Sequence, residues 1–65
     1  MQAIKKIREM RGMTQTTMAA ALGVSQPTVV YWESVGGYPS GKDLPRIARL
    51  LGCTIDELYD EKEVV

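Results

Sequence analysis

The sequence predicts an all-α fold, a compact bundle of five short helices. Three observations carry this. Apolar residues recur at three- and four-residue intervals in successive short stretches, as on one face of a helix. Glycines close those stretches at Gly12, Gly23 and Gly52, where helix C-termini favour them. Hydroxyl residues stand at the starts, at Thr14, Ser25 and Thr54, with the side-chain oxygens that N-caps require.

The first helix is read in "AIKKIREMRG", where Ile4, Ile7 and Met10 form one stripe with lysines and arginines between them. Thr14 is expected to cap the second, "QTTMAAALG", whose three alanines are strong helix formers. Met18 and Leu22 stand four apart on it. Ser25 is expected to cap a third segment, Gln26 to Ser34. Residues 28 to 32 are a threonine, two valines, a tyrosine and a tryptophan, all of them strand formers by propensity. Strand alternation fails there, because the apolar residues run consecutively. At about 100° per residue, Val29 and Trp32 share one face, while Pro27, Val30, Tyr31 and Ser34 take the other. The propensity cost of such a helix is ~2 kcal/mol relative to alanine. Burial of one large side chain contributes roughly 1.5–3 kcal/mol, so packing of Val29 and Trp32 outweighs it. Pro27 falls in the first turn, where its missing N–H is not needed.

"SVGGYPSGKD" is the one clear loop. The fourth helix, "LPRIARLLG", carries Leu44, Ile47, Leu50 and Leu51 at helical spacing. Its start has two readings, a Ser40–Asp43 capping box or Asp43 itself as cap. Asp43, or a loose opening turn, is favoured because it keeps Pro45 in the first turn. In "TIDELYD", Thr54 and Glu57 stand in capping-box register, with Ile55 and Leu58 turned inward. Residues 1–60 are read as one domain, and residues 61–65 as a short, frayed acidic tail.

The 65 residues allow one small domain. One cysteine forms no internal disulfide, and with no histidine present there is no zinc site. No cofactor, metal or small-molecule ligand is expected. No stretch approaches the ~18 apolar residues of a membrane span, and the charged first turns are unlike a signal peptide. A soluble protein of the reducing cytoplasm is the expectation. Net charge is zero, but unevenly laid out. Residues 1–33 hold Lys5, Lys6, Arg8 and Arg11 against Glu9 and Glu33, whereas most of the acid lies in the last ten residues. That balance argues against heavy non-specific nucleic-acid binding.

The stretch "TQTTMAAALGVSQPTVVYWE" resembles the helix-turn-helix of the phage repressor and Cro (XRE-like) family. Ala19 lies four residues after Gln15, and Gly23 four further on, followed by Val24, Ser25 and Gln26. Met18, Leu22, Val24, Val29 and Trp32 are apolar where the family keeps its core. A small Ala19 suits the helix crossing, and Gly23 suits the left-handed turn between the two helices. The resemblance runs from Ile4 to Leu58, because "PSGKDLPRIARLLGCTIDELY" is similar to the family's last two helices.

The resemblance implies a sequence-specific regulator that binds double-stranded operator DNA, with no enzymatic activity. The second helix would lie across the backbone and the third would enter the major groove. By position, the base-reading residues are Gln26, Pro27 and Tyr31, with Thr28 and Val30 beside them. Gln26 is suited to adenine, and Pro27 and Val30 to thymine methyls. Tyr31 either covers the helix edge or touches DNA. Gln15 is expected to donate to phosphate and to buttress Gln26. Lys42 is the one basic residue of a loop that in other members carries several. A homodimer on two half-sites is therefore expected, with a shallow salt dependence. Arg8 and Glu33 match a buried structural ion pair of the family. Arg11, Lys5 and Lys6 are read as a solvated face, Met10, Met13 and Met18 as core filling, and Cys53 as a small hydrophobe. Enzymes are disfavoured, since no nucleophile–base pair or phosphate-binding glycine loop is present. The second reading is a protein-interaction module of the same fold, such as an antitoxin, motivated by the neutral charge and the apolar Pro27, Val30 and Tyr31.

Overall fold

A computed structural model describes residues 1–59 of the chain. Five helices follow in order: α1 Gln2–Met10, α2 Gln15–Leu22, α3 Gln26–Glu33, α4 Asp43–Leu51 and α5 Ile55–Leu58. No strand occurs among the described residues. Residues 28 to 32 are helical, and Val29 and Trp32 are buried while Val30 and Tyr31 face out. The core is a single cluster drawn from all five helices, with Ile4, Met18, Val29, Ile47, Leu51 and Leu58 nearly fully enclosed. Its side chains are enough, at roughly 1.5–3 kcal/mol each, to offset poor local propensity in α3.

Local rules explain most of the boundaries. Thr14 accepts from the Thr17 N–H at the start of α2. Gly23 is left-handed at φ 71°, which brings the Val24 N–H back to the Ala19 carbonyl at 3.0 Å and sends the chain into α3. Thr54 and Glu57 close a reciprocal capping box on α5. Helix α3 ends at Glu33, with Ser34 as its C-cap.

Three expectations are corrected, and the two-way reading of the start of α4 is resolved. Met10 is 67% exposed. Steps of three residues drift backwards around a helix by about 60° each, so Met10 lies about 240° round from Ile4. Arg8, four residues after Ile4, takes the inward place and is buried. Ile55 is 37% exposed, so Leu58 alone anchors α5. Ser25 occupies the N-cap position of α3, but its hydroxyl pairs with the Thr28 hydroxyl at 2.9 Å and not with a backbone amide. Asp43 is the first residue of α4 and not its cap. The Ser40 carbonyl accepts from the amides of both Asp43 and Leu44, and the Ser40 hydroxyl bonds the Asp43 carboxylate at 2.9 Å. This is the loose opening turn, and Pro45 still falls where no N–H is required.

Helix C-termini are closed by cations from distant parts of the chain. The Arg46 guanidinium donates to the Leu22 carbonyl at the end of α2. Arg11 donates to the Leu51 carbonyl at 2.8 Å, and more distantly to Gly52, at the end of α4. The Met1 amino group donates to the Trp32 and Ser34 carbonyls at the end of α3 and to the Gly37 carbonyl in the loop after it. Each places positive charge against the negative end of a helix dipole. Arg11 is exposed, as the sequence suggested, and in addition its guanidinium closes α4.

The chain after α3 folds tightly back on it. A Cβ at Gly37 would stand 1.8 Å from the Tyr31 carbonyl oxygen, although the Gly37 backbone itself is ordinary. Gly37→Ala is expected to destabilise the fold by about 2 kcal/mol or more, since backbone must shift. Gly41→Ala meets nothing within 4 Å and is expected to unfold like the parent. Urea denaturation of both variants checks this.

The capping box also makes α5 sensitive to acid. Hydrogen bonding from the Thr54 backbone N–H, then from its side chain, holds the Glu57 carboxyl below its ordinary value. Its contribution is therefore present above about pH 4.3, the unfolded value, and is lost as pH falls through the lowered folded value. The stability difference between the parent and Glu57→Gln is expected to shrink below about pH 4.3, as followed by thermal unfolding across that range.

Candidate nucleic-acid interface

Helices α2 and α3 pack together, with buried Ala19 and Leu22 of α2 and buried Val29 and Trp32 of α3 contributing to the shared core. Ala19 leaves room for the close pass. The outer side of α3 carries Gln26 and Pro27 in its first turn, then Val30 at 44% and Tyr31 at 56% exposure. Thr28 is half-buried and bonded to Ser25.

Beneath this surface lies a connected polar chain. Arg8 of α1 pairs with Glu33 of α3 through Nε and Oε2 at 2.7 Å, and through a second bond from Nη2 to Oε1 at 3.2 Å. Arg8 also donates to the Met13 carbonyl at 2.7 Å, in the turn before α2. Both side chains are buried. The hydrogen bond to Glu33, opposed by desolvation, raises the Arg8 pKa above its ordinary value, so the guanidinium is charged at any working pH. Glu33 Oε1 also accepts from Gln15 Nε2 at 3.0 Å. Gln15 Oε1 in turn accepts from Gln26 Nε2 at 3.0 Å. Four residues from three helices are thereby joined in series. Among the described residues no buried side-chain nitrogen or oxygen lacks a partner.

The structure thus brings Arg8, Glu33, Gln15 and Gln26 together and sets Pro27, Val30 and Tyr31 on the outer side of α3. Lys42 is exposed on the turn that opens α4. Among the described residues no hydrogen bond or ion pair joins it to the α3 residues. Lys5, Lys6 and Arg49 are exposed as well, whereas Arg8, Arg11 and Arg46 are committed to internal bonds. No local pattern in the sequence reports the Glu33–Gln15 bond, which joins residues 18 positions apart.

Among the described residues no group of three or more histidine, cysteine, aspartate or glutamate side chains is placed to hold a metal. No described helix is long and apolar enough to cross a membrane. Burial first, then the Glu57 charge, pushes the Cys53 thiol up, against a smaller opposing effect of Arg11. It packs against the core as a small hydrophobe.

A small bundle with a helix, a left-handed glycine turn and a second helix presenting a solvent-facing side is the architecture of a helix-turn-helix protein. The helix-turn-helix family profile matches residues 4–58, and the chain belongs to that family. It is 33% identical over 64 residues to the HTH-type transcriptional activator BcrR of Enterococcus faecalis, a match covering 98% of this chain. The chain spans 31% of that activator's length. An uncharacterized HTH-type transcriptional regulator of Archaeoglobus fulgidus is also 33% identical, over 63 residues that cover 94% of this chain and 90% of its own. No solved structure matches the chain significantly.

The buried pair makes a specific energetic demand. Glu33→Leu alone leaves a buried guanidinium without its counter-charge and is expected to cost about 3–5 kcal/mol. Adding Arg8→Met is expected to recover most of that loss, because an apolar pair of similar volume can replace a buried ion pair. Chemical denaturation of the two single variants and the double variant tests the cycle.

Proposed function

We propose that the chain is a sequence-specific regulator of the phage repressor and Cro type, which binds double-stranded DNA with α3 in the major groove. The observation that carries this reading is Gln26: exposed at the first turn of α3, yet held at 3.0 Å by Gln15 from the start of α2. A side chain so placed is pre-ordered to meet a base edge at low entropic cost. Pro27 and Val30 add apolar surface for thymine methyls, Tyr31 a ring and hydroxyl, and Thr28 packs beside them. Gln15 lies where α2 would meet the backbone, and Lys42 supplies a phosphate contact.

The shortage of free cations supports a dimer. With Arg8 buried, and Arg11 and Arg46 bonded to carbonyls of the same chain, one domain offers few unengaged cations to phosphates, and two copies on half-sites one helical turn apart, about 34 Å, supply the missing affinity. The same sparseness sets the salt response. The log–log slope of binding against salt is expected to fall well short of the values near about −10 reached by cation-rich repressors.

The test is a selection of duplexes from a randomised pool, followed by binding at several salt concentrations and measurement of mass with and without the duplex. Gln26→Ala is expected to lose about 1–3 kcal/mol of discrimination at one base pair. Failure to enrich any sequence overturns the reading. If the chain instead captures one stoichiometric protein partner, with the exposed Val30 and Tyr31 required, the fold serves as a protein-recognition module.

A further inference from the structure

We infer that Glu33, buried away from any DNA, sets the base preference of Gln26 through Gln15, by fixing the polarity of two amides in series so that Gln26 selects adenine over guanine. This rests on the reading above, in which α3 enters the major groove and Gln26 meets a base edge.

The argument is one of donors and acceptors. A carboxylate held by a guanidinium fork has only lone pairs to offer. Glu33 Oε1 stands 3.0 Å from the Gln15 amide, so Gln15 must turn its –NH2 toward it. The reversed amide would set two oxygens against each other in a partly buried site. Gln15 Oε1 is then directed at Gln26 and can only accept. Gln26 must therefore give one N–H, and it does so at 3.0 Å. What Gln26 has left for a partner outside the protein is its Oε1 and its second N–H.

One acceptor beside one donor complements adenine, which shows N7 as acceptor and N6–H2 as donor in the major groove. Guanine shows two acceptors, N7 and O6. An amide free to turn can offer its whole –NH2 to guanine. Gln26 cannot, because one of those hydrogens is held by Gln15 and the oxygen is fixed beside the other. Arg8 enters the same account, since it keeps Glu33 in place as an acceptor at 2.7 Å. Glu33 is thus a positioning residue for recognition as well as half of a structural pair.

The test uses the full chain and the duplex it enriches from a randomised pool, with each base pair then substituted in turn. Gln26→Ala identifies the pair that Gln26 reads. At that pair the parent is expected to prefer adenine, and the ratio of affinities for the adenine and guanine duplexes is the readout. The double variant Arg8→Met with Glu33→Leu keeps both glutamines and removes the acceptor that orients them. Its ratio is expected to fall about tenfold, while its affinity for an unrelated duplex stays at the parent's value. Gln15→Met leaves the ion pair intact and is expected to lower the ratio similarly, with no further loss when all three changes are combined. Should the double variant fail to fold, Gln15→Met decides the matter. Full adenine preference in the folded double variant or in Gln15→Met overturns the inference while leaving the groove reading standing. So does a parent preference for another base at that pair. If Gln26→Ala changes no base preference, the groove reading falls and the inference with it.

Discussion

A charged pair taken out of water is stabilising only when geometry is good and every remaining donor and acceptor is met. The Arg8–Glu33 pair satisfies that condition, and much of the fold is arranged so that it can. Arg8 needs α1 to turn its eighth residue inward, and uses its third direction to hold the Met13 carbonyl in the turn before α2. Glu33 needs α3 to end with its last residue against α1, and spends a second lone pair on Gln15. The pair therefore fixes how α1, the turn before α2, and α3 sit relative to one another. Neither side chain can relax without leaving the other unsatisfied.

Most of this was readable from the sequence, and the parts that were not have physical causes. The α3 segment was decided by facing, because Val29 and Trp32 share a side whatever their propensity. Gly23 and the Thr54–Glu57 box depend only on neighbours in the chain, so local rules found them. Met10 leaves the buried face because a three-residue repeat drifts about 60° per step and is off that face by the second step. Ser25 was assigned a backbone partner, yet the competing Thr28 hydroxyl was three residues away, and two hydroxyls in reach satisfy each other equally well. Arg11 and Arg46 bond carbonyls on helices 40 and 24 residues distant. No pattern of spacing reports a contact of that kind, because any cation at the right place in space would do. Gly37 carries no sequence signal for the same reason: the oxygen that excludes a side chain there is the Tyr31 carbonyl, brought close by the fold-back of the loop.

At the candidate site the residue types were legible and their order was not. The resemblance to the phage repressor and Cro family placed Gln15, Gln26, Arg8 and Glu33 as two separate pairs, one for DNA and one for the core. The structure joins them into a single chain of hydrogen bonds, Arg8 to Glu33 to Gln15 to Gln26. The membership of the chain in the helix-turn-helix family rests on the match over residues 4–58, and the observed geometry agrees with it.

The close seating of Gly37 on the Tyr31 carbonyl, together with the Met1 amino group bonded to Trp32, Ser34 and Gly37, has a thermodynamic corollary. The far end of α3 is clamped by the first residue and by the loop that follows, while its near end is braced through Gln26 and Gln15. A helix held at both ends arrives at a partner with its backbone disorder already removed. Little coupled folding then accompanies its association, and the heat-capacity change of complex formation reports the surface buried between the two molecules, with almost none contributed by ordering of the helix itself.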